Sequence, residues 1–503
     1  SLHKPLEDPQ YFAQTGVRVG DAMTFLGTTS THQQPVGPGR LWRLLRTPVS
    51  PETRAHLNAA WAKLDPRFRT TNQMYGRQEA GCGATIGVMP KCDFACRGCY
   101  LGADANRTPE LPLADVKAQL DLLRAALGPG GSVQLTDGEV SLRPADEVIE
   151  ILRHARDIEL IPMLMSHGDG FLRDPELLKR LMVEGGLEEL SLHIDTTQRG
   201  RRDRDFKYAT REAELMALRE RFAAMIRRVR RETGRTLRVA STVTVTQDNL
   251  PEVGDIVRFA QTNADVFRMV ALLPVAQVGR TEDGIGRITA DALWSEIERG
   301  LAIEDSNRDR LTANQWFMAH PDCSRFVIGL TAETGTGSRF LPLSPESSAR
   351  DRRFLDRLFA HFAGATFRAD RPAEAAARIT GMALRAPKFF LWDVPANAWS
   401  WARRFEPDRP LRFALRALVG RTQLHRFSVV AHHFMSADEL DTPAGRERIS
   451  HCAFKVPIDG ELKSMCEVNG AGLRDRLYAN MAAMDAPARK SDATYTQVLD
   501  PVA

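Results

Sequence analysis

Short apolar and β-branched runs alternate along the middle of the chain with segments that carry an apolar stripe at helical spacing. In the stretches 113–127, 144–156 and 250–263, apolar residues recur every three or four positions, which predicts amphipathic helices. This alternation is typical of repeated βα units, whose right-handed crossovers build a parallel sheet. The strands that the pattern predicts are 84–89, 132–137, 160–166, 189–195, 238–246 and 265–273. Six units predict a full or partial barrel, with functional residues at the carboxyl ends of the strands.

The composition is that of an ordinary globular protein and narrows the functional classes only slightly. Of 503 residues, 43% are hydrophobic and 26% are charged, which excludes a disordered chain and a disulfide-rich miniprotein. Lysine and arginine number 68 against 64 aspartate and glutamate, and the net charge of +4 is too small to indicate nucleic-acid binding. No apolar run approaches the roughly 18 residues of a spanning helix, and residues 1–30 lack the pattern of a secretory signal. We therefore expect a cytoplasmic protein.

Three of the seven cysteines lie within eight residues, in a loop that follows the first predicted strand. Cys92, Cys96 and Cys99 have the spacing Cys-x3-Cys-x2-Cys, so three thiolates can converge on one small object. Zinc sites usually combine paired Cys-x2-Cys units into four ligands, whereas three close cysteines without an evident fourth suit a [4Fe-4S] cluster with one open iron. A zinc site completed by a distant residue and three unliganded thiols are the alternatives.

The loop and its place after the first strand resemble the radical SAM enzymes, whose cysteine loop has the same spacing. The resemblance covers residues 82–281 and implies an α/β fold with a partial (β/α)6 TIM-like barrel at 81–285. It also implies that S-adenosylmethionine chelates the open iron and that a donor such as ferredoxin or flavodoxin supplies one electron. The 5′-deoxyadenosyl radical then abstracts hydrogen from a substrate. These enzymes often have an aromatic residue before the last cysteine, but here that place is Gly98 and the aromatic is Tyr100.

The ends of the later strands carry polar residues that the same resemblance assigns to the cofactor. Residues 136–140, Thr-Asp-Gly-Glu-Val, resemble the Gly-Gly-Glu segment of the family, with Asp137 in place of the first glycine. Glu139 is expected to receive the cofactor's ammonium, Ser166 to donate to its carboxylate, and Asp195 to lie near its ribose. The other predicted cofactor contacts are Tyr100, Gly138 and Thr244. For each residue, a turn or a purely structural polar side chain is the alternative.

Two histidines at strand ends are candidates to face the substrate. His167 follows Ser166 at the end of the third predicted strand. His193 and Asp195 share one face of the fourth, because side chains alternate along a strand. Both histidines are therefore expected near the barrel interior.

Outside the barrel we expect an N-terminal lead-in at 1–80 that packs on it, a mainly helical extension at 286–430, and a cysteine-containing tail at 431–503. The tail is expected to form a hairpin of two short strands around Asp459-Gly460, with Cys452 on one arm and Cys466 on the other. Together with Cys82 and Cys323 they form a candidate ligand set for a second iron or iron-sulfur centre. The alternative is that these cysteines are small buried hydrophobic residues.

Two features favour a lipid or another hydrophobic substrate. The tail from His432 to Asn469 resembles, over about 45 residues, the C-terminal part of archaeal tetraether lipid synthases and their bacterial relatives. Residues 389–421 interleave aromatics with arginines, a composition that suits peripheral contact with the inner membrane face and equally a buried helix with extended arginines. The function favoured is hydrogen abstraction from an unactivated C–H bond of such a substrate. A radical SAM peptide or protein maturase and a noncatalytic metal-binding scaffold are the alternatives.

Overall fold

The structure is a computed structural model of the chain and describes residues 37–302, 315–335, 337–344, 349–368 and 371–485. Its strands are β1 (Cys82–Ala84), β2 (Ser132–Leu135), β3 (Ile161–Ser166), β4 (Glu189–His193), β5 (Arg238–Val245), β6 (Phe267–Pro274), β7 (Trp316–Phe317), β8 (Ser324–Thr334), β9 (Gly337–Pro342), β10 (Leu424–His432), β11 (Phe454–Ile458) and β12 (Glu461–Ser464). The first 36 residues of the predicted lead-in and residues 486–503 of the tail lie outside the described residues.

The described helices surround this sheet. They are α1 (Pro38–Arg46), α2 (Pro51–Lys63), α3 (Leu113–Leu127), α4 (Ala145–Asp157), α5 (Asp169–Arg173), α6 (Pro175–Val183), α7 (Met216–Thr233), α8 (Val253–Thr262), α9 (Ala290–Gly300), α10 (Ala349–Phe362), α11 (Pro372–Arg385), α12 (Val394–Phe405), α13 (Pro410–Leu418), α14 (Pro443–Ser450), α15 (Met465–Gly470) and α16 (Leu473–Asp485). A π-helical turn, Phe389–Asp393, leads directly into α12. Within the described ranges, none of the helices combines the length and the apolar character that crossing a membrane requires.

The twelve strands form one sheet in the order β12-β11-β1-β2-β3-β4-β5-β6-β10-β8-β7, with β9 paired to β8. Strands β1 to β6 are parallel to one another, and β11 and β10 extend them in parallel on either side. The sheet has two ends that do not pair with each other, so it is a partial barrel, as predicted. The outer strands of the parallel part, β11 and β10, both come from the C-terminal half of the chain. This half therefore forms the two sides of the barrel interior.

The main core lies between the parallel strands and the crossover helices. On α3, for example, Val116, Leu120, Leu123 and Leu127 are buried at spacings of three and four residues, and the helix ends at Gly128, whose φ is +76°. The predicted helices agree with the structure, except that a 3₁₀ turn, Leu250–Glu252, precedes α8. On the N-terminal side, α2 contacts α3 through an ion pair between Glu52 and Arg124 at 2.7 Å.

Five of the six predicted barrel strands agree with the structure to within two residues at each end. The first is wrong: it occupies Cys82–Ala84 rather than 84–89. The chain leaves the sheet because Gly87 has a φ of +75° and donates its N–H to the Asp137 carboxylate at 2.7 Å. The stretch 286–430, predicted as mainly helical, also supplies β7, β8, β9 and most of β10. The predicted hairpin and its turn are confirmed, since Ile458 pairs with Glu461 across the two-residue turn. The predicted cysteine on each arm is wrong: Cys452 precedes β11, and Cys466 lies in α15 because Ser464 caps a helix there.

Candidate functional site

The cysteine loop follows β1, and its backbone N–H groups bond it to the segment 197–199. The Ala95 N–H donates to the Arg199 carbonyl at 2.7 Å, and the Arg97 N–H donates to the Thr197 carbonyl at 2.9 Å. Cys92, Cys96 and Cys99 are free thiols. Burial raises the pKa of Cys92 to about 12 and also raises the pKa of Cys96. A nearby cation, such as a metal, is therefore needed to hold these sulfurs as thiolates.

The donor set fits an iron-sulfur cluster better than a single ion. Among the described residues, the one group of three or more candidate ligands whose ligand atoms all lie within 4.8 Å of one another is Cys92, Asp93 and His167. In that group, the His167 Nε2 and the Asp93 Oδ1 form a hydrogen bond of 2.8 Å, which accounts for their closeness without a metal. Cys92, Cys96 and Cys99 line a common cavity, and three ligands of one iron-sulfur cluster need not lie within 4.8 Å of one another, because each binds a different iron.

Arg280 supplies positive charge beside these sulfurs. Its N–H donates to the carbonyl of Cys99 at 3.0 Å, and its Nη2 donates to the carbonyl of Phe94 at 3.3 Å. Although burial opposes it, the neighbouring sulfurs of Cys99 and Cys92 raise the pKa of Arg280. The Arg280 Nε is buried without a hydrogen-bond partner among the described residues. Arg280 therefore offsets part of the negative charge that a sulfur-rich group held by these cysteines would bring.

Glu139 lies 1% exposed on the turn after β2, and protein donors fix both of its oxygens. The Ser166 hydroxyl donates to Oε1 at 2.7 Å, and the His167 N–H donates to Oε2 at 2.9 Å. The turn itself is held against the cysteine loop, because a Cβ at Gly138 would lie 2.4 Å from the carbonyl oxygens of Pro90 and Lys91. The carboxylate is thus fixed in the cavity wall, and Ser166 supports it.

His167 connects this carboxylate to the cysteine loop. Its ring stacks on Phe94 at 3.7 Å with an interplanar angle of 3°, and it is 6% exposed. His193 on β4 lies across the cavity, with its Nε2 2.6 Å from the Asp195 Oδ2 and 3.1 Å from the Thr244 Oγ1. Both histidines line the cavity. Whether they contact a substrate stays a prediction.

Asp195 supports its neighbours from behind the cavity wall. It is 1% exposed and accepts hydrogen bonds from the Thr244 N–H at 2.7 Å and the Thr197 N–H at 2.8 Å. Burial alone would raise the pKa of Asp195, but His193 and these donors outweigh it and lower that pKa. Asp195 is absent from the described cavity lining, so its predicted contact with a ribose is less direct than the sequence suggested.

Asp137, where the family pattern has glycine, forms a buried ion pair with Arg474 of α16. Tyr478 of the same helix also donates to this carboxylate. The Tyr100 hydroxyl donates to the Asp137 carbonyl at 2.6 Å, and the Arg474 guanidinium lies 4.7 Å from the Tyr100 ring centre. One face of Tyr100 is therefore covered by Arg474.

The structure brings most of the predicted site residues to one cavity of about 210 Å³, the upper cavity, at the carboxyl ends of the strands. Its lining includes Cys92, Cys96, Cys99, Tyr100, Gly138, Glu139, Ser166, His167, His193 and Thr244. A second cavity of about 370 Å³, the inner cavity, lies inside the partial barrel. The two cavities share the wall residues Gln134, Met165, Thr242, Leu273, Phe434, Phe454 and Met465.

The four remaining cysteines line the inner cavity, around Cys452. The Cys452 thiol interacts electrostatically with those of Cys82, Cys323 and Cys466, and burial raises the pKa of all four. The Arg448 Nε donates to the Cys323 sulfur at 3.4 Å. No three of these cysteines lie within 4.8 Å of one another in the described chain, so a second metal centre stays a prediction.

Sequence reasoning did not assign roles to Asp93, Arg280 or Arg474. A local signal existed only for Arg280, which follows Gly279 directly after the sixth predicted strand. Gly279 has a φ of +58° and brings its backbone against the Tyr100 carbonyl, which places Arg280 beside the cysteines. Arg474 has no such signal, because 337 residues separate it from Asp137.

Comparison with known proteins confirms the predicted family for the barrel. Residues 86–260 match the profile of the Radical SAM superfamily. A curated relative, 7,8-dihydro-6-hydroxymethylpterin dimethyltransferase of Methanocaldococcus jannaschii, is 27% identical over 230 residues. The match covers 45% of this chain and 43% of that protein, so the chain spans less than half the length of the relative.

Two solved structures of one protein, each with bound AdoMet, match part of this chain at low identity. Native anSMEcpe with bound AdoMet is 11% identical, with a TM-score of 0.28 over 38% of this chain and 50% of that one. Native anSMEcpe with bound AdoMet and Cp18Cys peptide is 10% identical, with a TM-score of 0.32 over 46% of this chain and 61% of that one. The likeness of the C-terminal part to tetraether lipid synthases stays a prediction.

Proposed function

We propose, on the premise that this chain belongs to the radical SAM superfamily, that it is an enzyme which removes hydrogen from an unactivated C–H bond of a lipid-like substrate. Bound to a [4Fe-4S] cluster, S-adenosylmethionine supplies a carbon radical strong enough for that abstraction. Cys92, Cys96 and Cys99 would hold the cluster, and a small electron-transfer protein such as ferredoxin or flavodoxin would reduce it. The observation that carries the substrate proposal is the largely apolar inner cavity next to the upper one.

The residues of the upper cavity have distinct tasks in this proposal. Glu139 presents a fixed carboxylate that suits an ammonium group, because Ser166 and His167 hold both of its oxygens. Arg280 offsets the negative charge of the sulfurs. Phe94, stacked on His167, shields this carboxylate from water.

The walls of the inner cavity suit a hydrocarbon chain. Methionines and other apolar side chains line it on β3, β6, β8 and β10: Met163, Met165, Met269, Leu273, Phe326, Ile328 and Val430. Methionine adapts its shape to irregular apolar ligands. A chain lying along this cavity would reach the upper cavity at the shared wall residues.

The opposite end of the inner cavity carries positive charge. Arg238, Arg268 and Arg426 line this end, where β5, β6 and β10 begin. Arg238 pairs with Glu189 at 3.0 Å, whereas Arg268 and Arg426 form no ion pair with any described residue. Burial lowers the pKa of Arg268 to about 10, and the neighbouring Arg238 and Arg426 add to that effect, whereas Glu189 opposes it. Glu79 and Glu189 are the acidic residues of the cavity lining, so the three arginines outnumber them. We therefore propose an amphiphilic substrate with an anionic head group at this end.

The test uses the full chain, reconstituted anaerobically with iron and sulfide and supplied with S-adenosylmethionine and dithionite. A long-chain fatty acid, its methyl ester and a reduced pterin are compared by the 5′-deoxyadenosine that each elicits. We expect the acid to stimulate product formation. Arg268→Met should raise the KM for the acid about tenfold, since one lost charged contact is worth roughly 1.5–3 kcal/mol, and leave that for the ester unchanged. Arg235→Met, which changes an exposed arginine, is the matched control.

Each other outcome contradicts part of the proposal. Stimulation by the pterin but not by the acid would refute the lipid assignment and favour the activity of the curated relative. Product formation that none of the three compounds stimulates would also refute the lipid assignment and leave the maturase as the remaining enzyme. No 5′-deoxyadenosine under any condition would favour a noncatalytic scaffold.

We also propose that Cys82, Cys323, Cys452 and Cys466 bind a second iron or iron-sulfur centre. The support is that all four are buried or half-buried free thiols around one cavity. The test is metal analysis of a variant in which the three loop cysteines are replaced by alanine. Residual iron that disappears on further Cys452→Ala replacement supports the second centre, and absence of any residual metal refutes it.

A further inference from the structure

The segment 379–424, which contains α12 and α13, presents a large apolar surface outward, here called the outer face. Ten large apolar side chains of the segment are between 42% and 83% exposed. They are Ile379, Leu384, Leu391, Trp392, Trp399, Leu411, Leu415, Leu418, Val419 and Leu424. Single exposed apolar residues are common, but ten large ones within one segment are typical of an interaction surface.

The geometry of the helices shows that this exposure is not a by-product of core packing. On α13, Phe413 is 3% exposed and stacks on Phe405 at 5.1 Å, and so supplies the inward contact. Leu411, Leu415 and Leu418 lie on another side at spacings of four and three residues. Trp392 and Trp399 are seven residues apart in the continuous helical stretch 389–405 and also share a side. These side chains stay between 42% and 83% exposed in the described fold.

Basic residues surround the outer face. The segment 379–424 contains eight arginines and lysines against three acidic residues, a net charge of +5. Arg404 pairs with Asp351 at 2.7 Å. Seven basic residues form no ion pair within the described part of the chain: Arg385, Lys388, Arg403, Arg409, Arg412, Arg416 and Arg421. Exposed indoles and leucines bordered by unpaired cations match the interface of an anionic lipid bilayer.

We infer that the outer face docks on an anionic membrane surface, an interaction that goes beyond the proposed reaction. A second copy of the chain fits poorly, because a symmetric dimer would bring two patches of +5 together. The chain's own ends also fit poorly, since residues 1–36 carry a net charge of −1 and residues 486–503 a net charge of zero. An anionic bilayer offers an apolar interior for the exposed indoles and leucines and negatively charged head groups for the arginines and lysines.

The position of the outer face relates it to the inner cavity. Leu424, at the edge of the face, is the first residue of β10. Arg426, Ser428 and Val430, further along the same strand, line the inner cavity from its charged end inward. One strand thus leads from the docking surface to the cavity in which we place the substrate chain.

The test is co-sedimentation of the full chain with vesicles of phosphatidylcholine alone and of phosphatidylcholine containing phosphatidylglycerol. We expect binding only to the anionic vesicles, weakened by salt, with quenching of tryptophan fluorescence by brominated lipid. The variant Trp392→Ser/Leu415→Ser/Leu418→Ser should reduce partitioning at least about tenfold. The matched control, Trp42→Ser/Val183→Ser/Tyr208→Ser, removes equally exposed apolar groups elsewhere and should bind as the wild type does.

Three results would overturn the inference: equal binding of both triple variants, equal binding to neutral and anionic vesicles, or a dimer that the outer-face variant dissociates without any vesicle binding. Binding that appears only after removal of residues 1–36 would show that the chain covers its own face. Cleavage of S-adenosylmethionine without vesicles should be equal in the outer-face variant and the wild type. Its absence from both would count against the proposed reaction and would not affect the vesicle result.

Discussion

Replacing Arg474 by methionine tests whether the C-terminal helix α16 holds the turn that carries Gly138 and Glu139. The side chains of Arg474 and Asp137 are 1% and 0% exposed, so no water screens their ion pair. The same carboxylate accepts a hydrogen bond from the Gly87 N–H at 2.7 Å and another from the Tyr478 hydroxyl. Arg474→Met therefore leaves a buried carboxylate with two neutral donors and no cation.

The magnitude follows from that uncompensated charge. Removing one partner of a buried ion pair costs about 3–5 kcal/mol, because the remaining ion keeps its desolvation penalty and loses its attraction. In a long chain this corresponds to a fall in Tm on the order of 5–10 °C, for the cooperative unit that contains the turn. Since Asp137 precedes Gly138 and Glu139 directly, we also expect affinity for S-adenosylmethionine to fall at least about tenfold, for which 1.4 kcal/mol is enough.

A double variant distinguishes the effect of the unpaired charge from the effect of lost packing around Arg474. Asp137→Gly/Arg474→Met removes both charges and restores the glycine that the radical SAM pattern has at this place. We expect it to recover at least half of the stability that Arg474→Met loses, because no unpaired ion remains. Arg476→Met is the matched control, since Arg476 lies on the same helix, is exposed, and contacts only the Ala471 carbonyl, at 3.1 Å.

Circular dichroism melts and equilibrium dialysis against labelled S-adenosylmethionine measure the two effects. If Arg474→Met behaves like Arg476→Met in both assays, the ion pair does not hold the turn. If the double variant is as unstable as Arg474→Met alone, the loss comes from packing around the arginine stem rather than from the unpaired carboxylate. Either result would refute this account of Asp137.

Further changes at the upper cavity have separable readouts. Glu139→Gln should keep the absorbance of the cluster yet lose at least about tenfold in 5′-deoxyadenosine formation, while Glu150→Gln, at an exposed position of α4, should lose neither. Gly138→Ala should impair cofactor binding, because its Cβ would lie 2.4 Å from two carbonyl oxygens of the cysteine loop, whereas Gly39→Ala meets nothing within 4 Å. Replacing the three loop cysteines together should remove four iron atoms and four sulfides per chain, and an unchanged iron content would contradict the assigned ligands.

The part of the fold that could be predicted from the sequence is the part that local patterns encode. The strands β2 to β6 and the helices α3 and α4 each bury a regular apolar stripe, so period and length suffice to place them. The cysteine spacing and the Gly-Glu turn are likewise local, and both lie at the upper cavity. Prediction failed at β1. The apolar run Ile86–Met89 predicted a strand there, but β1 ends at Ala84 and Gly87, with its positive φ, turns the chain away from the sheet. Prediction also failed at β7 to β10, whose burial depends on distant partners.

Asp137 shows why the remaining site residues could not be found this way. Read locally, an aspartate in place of a glycine is an unexplained departure, because the turn gains a charge and loses conformational freedom. The structure supplies the reason: Arg474 and Tyr478 approach from 337 or more residues away and satisfy the carboxylate in the interior. A buried charge requires a partner wherever the chain can provide one. A charged residue inside a glycine motif therefore predicts that a compensating side chain exists, but only the fold, here α16 packed beneath the turn, identifies it.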